Sequence, residues 1–483
     1  MKRAIDVKVN IRPVFSNRVH TAVWEGPCRV GDPERLSPEY EKRTGREQCK
    51  VWGRQLKENI SSEYANVLDP VYIEFCENFY ISDEQLDKLK EDLEDTDIFL
   101  ISYRVSGIER LGKPISMINR GPTPIDLGAY YADIGAEFYF GYDYEEYNEI
   151  IKLLQVKKAI RNTKILVLTT GEQSPVSVVS SNPDIYGLNQ KYGIRSARRS
   201  MKDVFDVIKR LDADDKRLKE AEEINAGAES SAVPSEVMVS DLRYRDAVKA
   251  MMEELGCNAF TTACMELCAS RLPMQFKCTP CLTHSLFKDG GIPTACEEDI
   301  NALLATMVFM YLTKKSVFMG NASLVKPHQR PMEDLRVSRL VSGPAEGFDE
   351  YALEIRHSVP GRKMEGFDKP DMPYEVGQFT FAGWGTKLQI DMANAETKTV
   401  TIGRFSRDGN SFMITRGEVL GCAYHTFGCS PDVYYRTEGG AYEFVHALAE
   451  GRYGHHLAVV YGDCVDEIKR LGKMVGFNVE HHR

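Results

Sequence analysis

A chain of 483 residues is too long for a single hydrophobic core, and about two to four domains is the natural expectation. Hydrophobic residues make up 43% and charged residues 27%, the balance of a soluble globular protein. The formal net charge of −10 argues against a nucleic-acid binder, because neutralising phosphates needs concentrated Lys and Arg.

At the N-terminus, "MKRAIDVKVNIRPVF" brings charges back before an apolar stretch of useful length forms, so no secretory leader is expected. The first third then alternates strand and helix signals. "VYIEFC" (71–76) reads as a strand, and "SDEQLDKLKEDLED" (82–95) as a helix opened by a Ser82-x-x-Gln85 capping pattern. "DIFLISY" (97–103) is a second apolar run, "DYEEYNEIIKLLQVKKAI" (143–160) is amphipathic, and "KILVLTTG" (164–171) has the look of a buried strand. Such alternation favours parallel sheets covered by helices.

Beyond a helix-like "MKDVFDVIKRLD" (201–212), the charged run 212–237 reads as a surface helix followed by a mobile loop. Cys264, Cys268, Cys278 and Cys281 follow in a C-x3-C-x9-C-x2-C pattern. Its middle gap is shorter than in zinc ribbons, and buried thiols are the favoured reading over a zinc site. Twelve cysteines without a leader suggest reduced thiols and a cytoplasmic location.

In "GIPTACEEDINALLATMVFMYLTKKSVFMGN" (291–321), Ile300, Leu303, Leu304, Met307, Val308 and Tyr311 recur at helical spacing. A buried helix is therefore expected from about Ala295 to Leu312. The apolar stretch is too short to span a bilayer. Thr294-x-x-Glu297 has the spelling of a capping box. Glu297 also begins the core-facing stripe, so it is either a satisfied cap or a ligand at the edge of a cleft. Glu298 points to another face and reads as solvated or dipole-stabilising.

From about Phe348 the character changes. "QFTFAGWGTKLQIDM", "KTVTIGRF" and "SFMITRGEVLGC" are short β-rich runs punctuated by Gly, as in a small barrel or sandwich. His357 in "EIRHSVPG" precedes a Pro-Gly turn. "GHHLAVVYGD" sets two imidazoles at the head of a buried strand, where only one of His455 and His456 can face a given pocket. Phosphate loops, dinucleotide fingerprints, hydrolase elbows and H-E-x-x-H are all missing from the sequence.

Taken together, "GIPTACEEDINALLATMVFMYLTKKSVFMGN", "EIRHSVPG" and "HHLAVVYGDCVDEIKRLGKMVG" resemble segments of the L-fucose isomerase/L-arabinose isomerase superfamily. The match is good over roughly 250–325 and 445–480 and rests elsewhere on element order. The resemblance implies two Rossmann-like α/β domains (1–172 and 173–345, the second carrying Glu297) and a C-terminal β-rich, barrel-like domain (346–483) carrying His357 and His456.

It further implies a Mn²⁺-dependent aldose–ketose isomerase of a free or modified monosaccharide, assembled as a trimer or hexamer, with no membrane or nucleic-acid partner. By position, Glu297 matches the family's ligand and acid/base glutamate and His456 its C-terminal ligand, with His357 as a pocket histidine expected among the metal ligands. The second acidic ligand should fall at Gly320 or Asn321, and here the chain reads "MGN". An amide oxygen can coordinate a hard cation but takes no proton near neutral pH. Asn321 is therefore expected as a neutral ligand, with Glu298, Asp299 or Asp463 as candidates for the missing proton-transfer role. A metal-dependent epimerase or lyase on a keto sugar or sugar acid, and a non-catalytic sugar-binding descendant, are the rival expectations.

Overall fold

The computed structural model describes residues 2–21, 31–75, 81–170, 177–182, 184–326, 337–342 and 351–483. These fall into two compact units, Val7–Lys158 and Met1–Asp6 together with Ala159–Arg483.

In the first unit, strands β1 (Val9–Arg18), β2 (Ala65–Val67), β3 (Val71–Phe75), β4 (Ile98–Ile101), β5 (Ile115–Ile118) and β6 (Phe138–Gly141) form one sheet in the order β2-β1-β4-β5-β6. β3 also pairs with β1, and every pairing is parallel. A parallel sheet is covered on both faces, which is why all four residues of β4 are buried. The expected strands at 71–76 and 97–103 are here, and the helix between them begins as its spelling dictates. Ser82 caps Asp83–Lys90, its hydroxyl accepting from Gln85 N at 3.4 Å.

The second unit contains a four-stranded parallel sheet, from β7 (Lys164–Thr169), β8 (Arg195–Ser200), β10 (Ala259–Thr262) and β11 (Thr294–Cys296), ordered β11-β10-β7-β8. Between β8 and β10 the segment expected to be a mobile loop is ordered instead. After the helix Asp215–Gly227, β9 (Ser230–Ser231) pairs in parallel with Glu375 and Val376, far along the chain. Backbone bonds Glu229 N to Tyr374 O (2.9 Å) and Ala232 N to Val376 O (2.8 Å) fix it on both sides. Polar composition suggested mobility, and a distant hairpin supplied the missing hydrogen-bond partners.

That hairpin is β15 (Glu375–Gln378) and β16 (Thr386–Gln389). The remaining strands are β12 (Phe318–Val325), β13 (Val337–Ser342), β14 (Ala352–Arg356), β17 (Thr399–Phe405), β18 (Ser411–His425), β19 (Asp432–Thr437), β20 (His456–Tyr461) and β21 (Asn478–His481). Six of them close into an antiparallel barrel, β18-β17-β20-β12-β14-β19, with β19 returning to β18. Closure works because β18 is fifteen residues long and irregular at Val419/Gly421. Its first half pairs with β17 and its second with β19, and a bulge lets one strand turn that corner. Val400, Ile402, Leu457, Val459, Leu353 and Val433 belong to one buried apolar cluster with these strands. The chain is thus mixed α/β with parallel sheets and a C-terminal six-stranded barrel. Among the described residues no helix is long and apolar enough to cross a membrane.

One buried charge bears on stability. Asp241, on the buried face of the helix Ser235–Leu255, accepts from Thr279 N and Thr386 Oγ1, each at 2.7 Å. Burial nonetheless pushes its carboxyl from 3.8 up to about 7. The native state therefore keeps a proton that the unfolded chain has already released, and stability falls as pH rises through that window. Asp241→Asn is expected to melt higher than wild type at about pH 8 and to lose that advantage below about pH 4. Thermal melts at the two pH values check this; an unchanged difference between them would exclude the buried carboxylate as its cause.

Candidate functional site

β11 ends at Cys296, at the C-terminal edge of the parallel sheet, where α/β folds place their ligands. The next two residues, Glu297 and Glu298, both take the left-handed backbone, with φ of 59° and 53°. Only then does the helix Ile300–Thr313 begin, capped by Asp299, whose Oδ1 accepts from Ala302 N at 3.0 Å. The expected helix start near Ala295 and the Thr294–Glu297 capping box are therefore corrected. Thr294–Cys296 pairs with β10 in the sheet, and the capping acid is Asp299. Glu297 is thereby freed from a capping role.

Two successive left-handed non-Gly residues cost on the order of 1 kcal/mol each, so the surroundings must enforce them. Glu298 N donates to Thr262 O (2.9 Å), Ser181 Oγ to Glu298 O (2.8 Å), and Ile300 N to Ser181 Oγ (3.1 Å). The turn aims the Glu297 carboxylate toward the barrel. His357, just after β14, and His456, the first residue of β20, meet it there. The ligand-type atoms of Glu297, His357 and His456 lie within 4.8 Å of one another, all three residues buried. This is the one group among the described residues suited to hold an ion, and it could hold a divalent metal.

The distances are specific. Glu297 Oε1 is 3.3 Å from His357 Nε2, and Glu297 Oε2 is 3.8 Å from His456 Nε2. The other nitrogen of His456, Nδ1, lies 2.9 Å from Asp299 Oδ2. Asp299 in turn takes a 2.6 Å bond from Arg404 Nη1. Arg404 is itself wholly buried and donates to His456 O (2.8 Å), Ser180 Oγ (3.1 Å) and Tyr453 O. A carboxylate behind a histidine is the arrangement that fixes a ligating ring's tautomer and orientation. Among the described residues His456 Nε2 has no hydrogen-bond partner, though it is fully buried. An orphaned imidazole nitrogen beside a carboxylate oxygen fits a hard or borderline divalent ion.

Electrostatics follow from these contacts. Burial opposes the charge on Glu297, but the bond from His357 and the two neighbouring imidazoles draw its carboxyl down to about 2. Burial likewise works against Asp299, whose carboxyl is held well below the usual range by Arg404 and His456. Glu298 differs from the solvated residue expected: it is 5% exposed, and burial lifts its carboxyl to about 7 against the pull of Thr169 and of Arg198 at 3.1 Å.

Asn321 is placed by strand register. It lies directly opposite His456 on the paired strands β12 and β20, so both side chains rise from one face of the barrel wall. Asp463 is engaged elsewhere, with Arg416 at 2.8 Å and Val465 N. His455 donates no side chain to the cluster, and its carbonyl accepts from Ala322 N at 2.8 Å. Cys278 and Cys281 are buried thiols as expected, whereas Cys268 is exposed and Cys264 half-buried. Arg404 escaped the sequence reading, yet it carried a signal: in "TVTIGRF" it shares the parity of Val400 and Ile402, an odd place for an arginine.

No family model matches the chain. Sulfoquinovose isomerases of Priestia aryabhattai and Priestia megaterium are each 24% identical to it over 205 residues. The likeness covers 42% of this chain and only 40% of each relative. Similarity to sugar isomerases and a buried Glu-His-His group thus arise independently, one from sequence and one from geometry.

Proposed function

We propose that the chain is a divalent-metal aldose–ketose isomerase acting on a free or modified monosaccharide, with Mn²⁺ as its ion. The observation that carries this reading is His456 Nε2, buried, without a hydrogen-bond partner among the described residues and facing the Glu297 carboxylate at 3.8 Å. Glu297 and His456 would hold the ion, with Asn321 as a neutral oxygen ligand beside them, and an ion held there would supply Lewis-acid polarisation of the sugar carbonyl.

What the chain's own residues do then follows from their surroundings. Glu297 enters ionised, so it can take the proton from one sugar carbon and return it to the neighbour. Asp299 cannot share this task, because its oxygens are committed to Arg404, His456 and the helix N-terminus. Asn321 cannot either, being an amide. One mobile carboxylate suits a 1,2-proton shift on one face of the sugar. Epimerisation, which must deliver the proton to the opposite face, needs a second group, and this favours the isomerase among the readings. A trimer or hexamer, in which a neighbour screens the reacting carbons from water, remains part of the proposal.

Incubation of the Mn²⁺-loaded protein with a panel of aldoses, ketoses, sugar acids and sulfoquinovose tests the function. Interconversion of an aldose with its 2-ketose is expected; release of a fragment, or no turnover of any member, would overturn the reading. Asn321→Asp adds a charge at the ion and is expected to change Mn²⁺ affinity at least about fivefold, read by titration. Unchanged affinity would remove Asn321 from the ligand set.

A further inference from the structure

We propose that His357 is a catalytic residue that donates a hydrogen bond from Nε2–H to a substrate oxygen, and that it does not ligate the ion. The proposal rests on the isomerase reading above. A neutral histidine that ligates through one nitrogen carries its proton on the other. His456 meets that condition. Its Nδ1 faces Asp299 Oδ2 at 2.9 Å, an oxygen that can only accept, so the proton sits on Nδ1 and Nε2 offers a lone pair.

His357 is wired in the opposite sense. The backbone N–H of Ser358 donates to His357 Nδ1 at 3.1 Å. That bond uses the Nδ1 lone pair and leaves the ring proton on Nε2, which lies 3.3 Å from Glu297 Oε1. The two oxygens of Glu297 therefore look at nitrogens of opposite character: Oε2 toward an acceptor, Oε1 toward a donor. The ring is 2% exposed. With its proton on Nε2, His357 has no lone pair to give a cation there.

A donor beside the proton-transferring carboxylate suits a carbonyl or hydroxyl oxygen next to the carbon being deprotonated. Negative charge grows on that oxygen as the proton leaves carbon, and a pre-aimed N–H stabilises it more in the transition state than in the bound sugar. The ring proton stays on Nε2 throughout, so no bond at the imidazole is made or broken.

The test measures Mn²⁺ affinity of the full chain by electron paramagnetic resonance, and turnover on whichever sugar it isomerises. His456→Gln is expected to lose at least about tenfold to a hundredfold in affinity. His357→Phe should bind Mn²⁺ within about threefold of wild type while kcat falls about a hundredfold, and His357→Gln, which restores an N–H donor, should recover part of it. Loss of Mn²⁺ from a folded His357→Phe comparable to that of His456→Gln would make His357 a ligand and overturn the proposal. Full turnover of His357→Phe would overturn it as well. A wild-type chain that binds no Mn²⁺ would instead fell the isomerase reading and the proposal with it. Nitrogen-15 spectra of the metal-free, histidine-labelled chain give an answer that needs no activity: His357 protonated on Nε2 and His456 on Nδ1 is the expected pair. The reverse tautomer at His357 would overturn the proposal.

Discussion

Glu297→Gln is expected to lower turnover by at least about a thousandfold and Mn²⁺ affinity by about tenfold or more, while the melting temperature stays within a few degrees of wild type. The substitution preserves size and keeps an oxygen acceptor toward His357, but it removes the only carboxylate of the cluster free to move a proton. Fold and function separate here because Glu297 caps no helix: Asp299 does that, so a neutral residue at 297 leaves the turn's backbone bonds in place. Steady-state kinetics with a thermal melt checks both halves. Retained activity would show that Glu297 is a structural acid and would remove the site with it.

The second large effect belongs to Arg404. Arg404→Met is expected to cost about 3–5 kcal/mol of stability, because it removes the guanidinium paired with the Asp299 carboxylate in a site with no exposure. Adding Asp299→Asn should recover a large part of that loss, since Asn still caps the helix while carrying no charge. The double-mutant cycle, read by denaturant unfolding, should therefore show strong coupling. Additive losses would mean that Arg404 acts through its backbone acceptors on Tyr453 and His456 instead of through Asp299.

The parts legible in the sequence share a physical reason. β4 is buried throughout and β7 in all but its first residue, so their apolar runs stand out, and Ser82 announces its helix through a purely local bond. The start of the helix at Ile300 was misread because two local spellings compete within six residues. The choice between them is made by the pairing of Thr294, Ala295 and Cys296 with Phe260, Thr261 and Thr262, which no window around residue 297 contains. The ordered segment at Ser230–Ser231 was hidden in the same way, its partner lying at Glu375 and Val376. Glu297, His357 and His456 were reached through family resemblance, each being weak evidence alone, and the geometry now unites them. Asp299 was named for chemistry but stands behind His456 as its hydrogen-bond acceptor.

The placement of β20 carries a last consequence. It lies between β17 and β12, two strands that precede it in the chain, and its first residue completes the Glu-His-His group. On the ribosome, the parallel sheets and Glu297 are made well before His456 emerges, by a delay of about ten seconds or more at ordinary elongation rates. During that interval β12 and β17 each have an unsatisfied edge facing a gap, the kind of exposed edge that invites pairing with another chain. Ion capture by the full group must therefore come after this strand is inserted. Expression at lower temperature should raise the yield of metal-competent protein more than added Mn²⁺ does, because the slow event is the threading of a strand into a nearly finished wall.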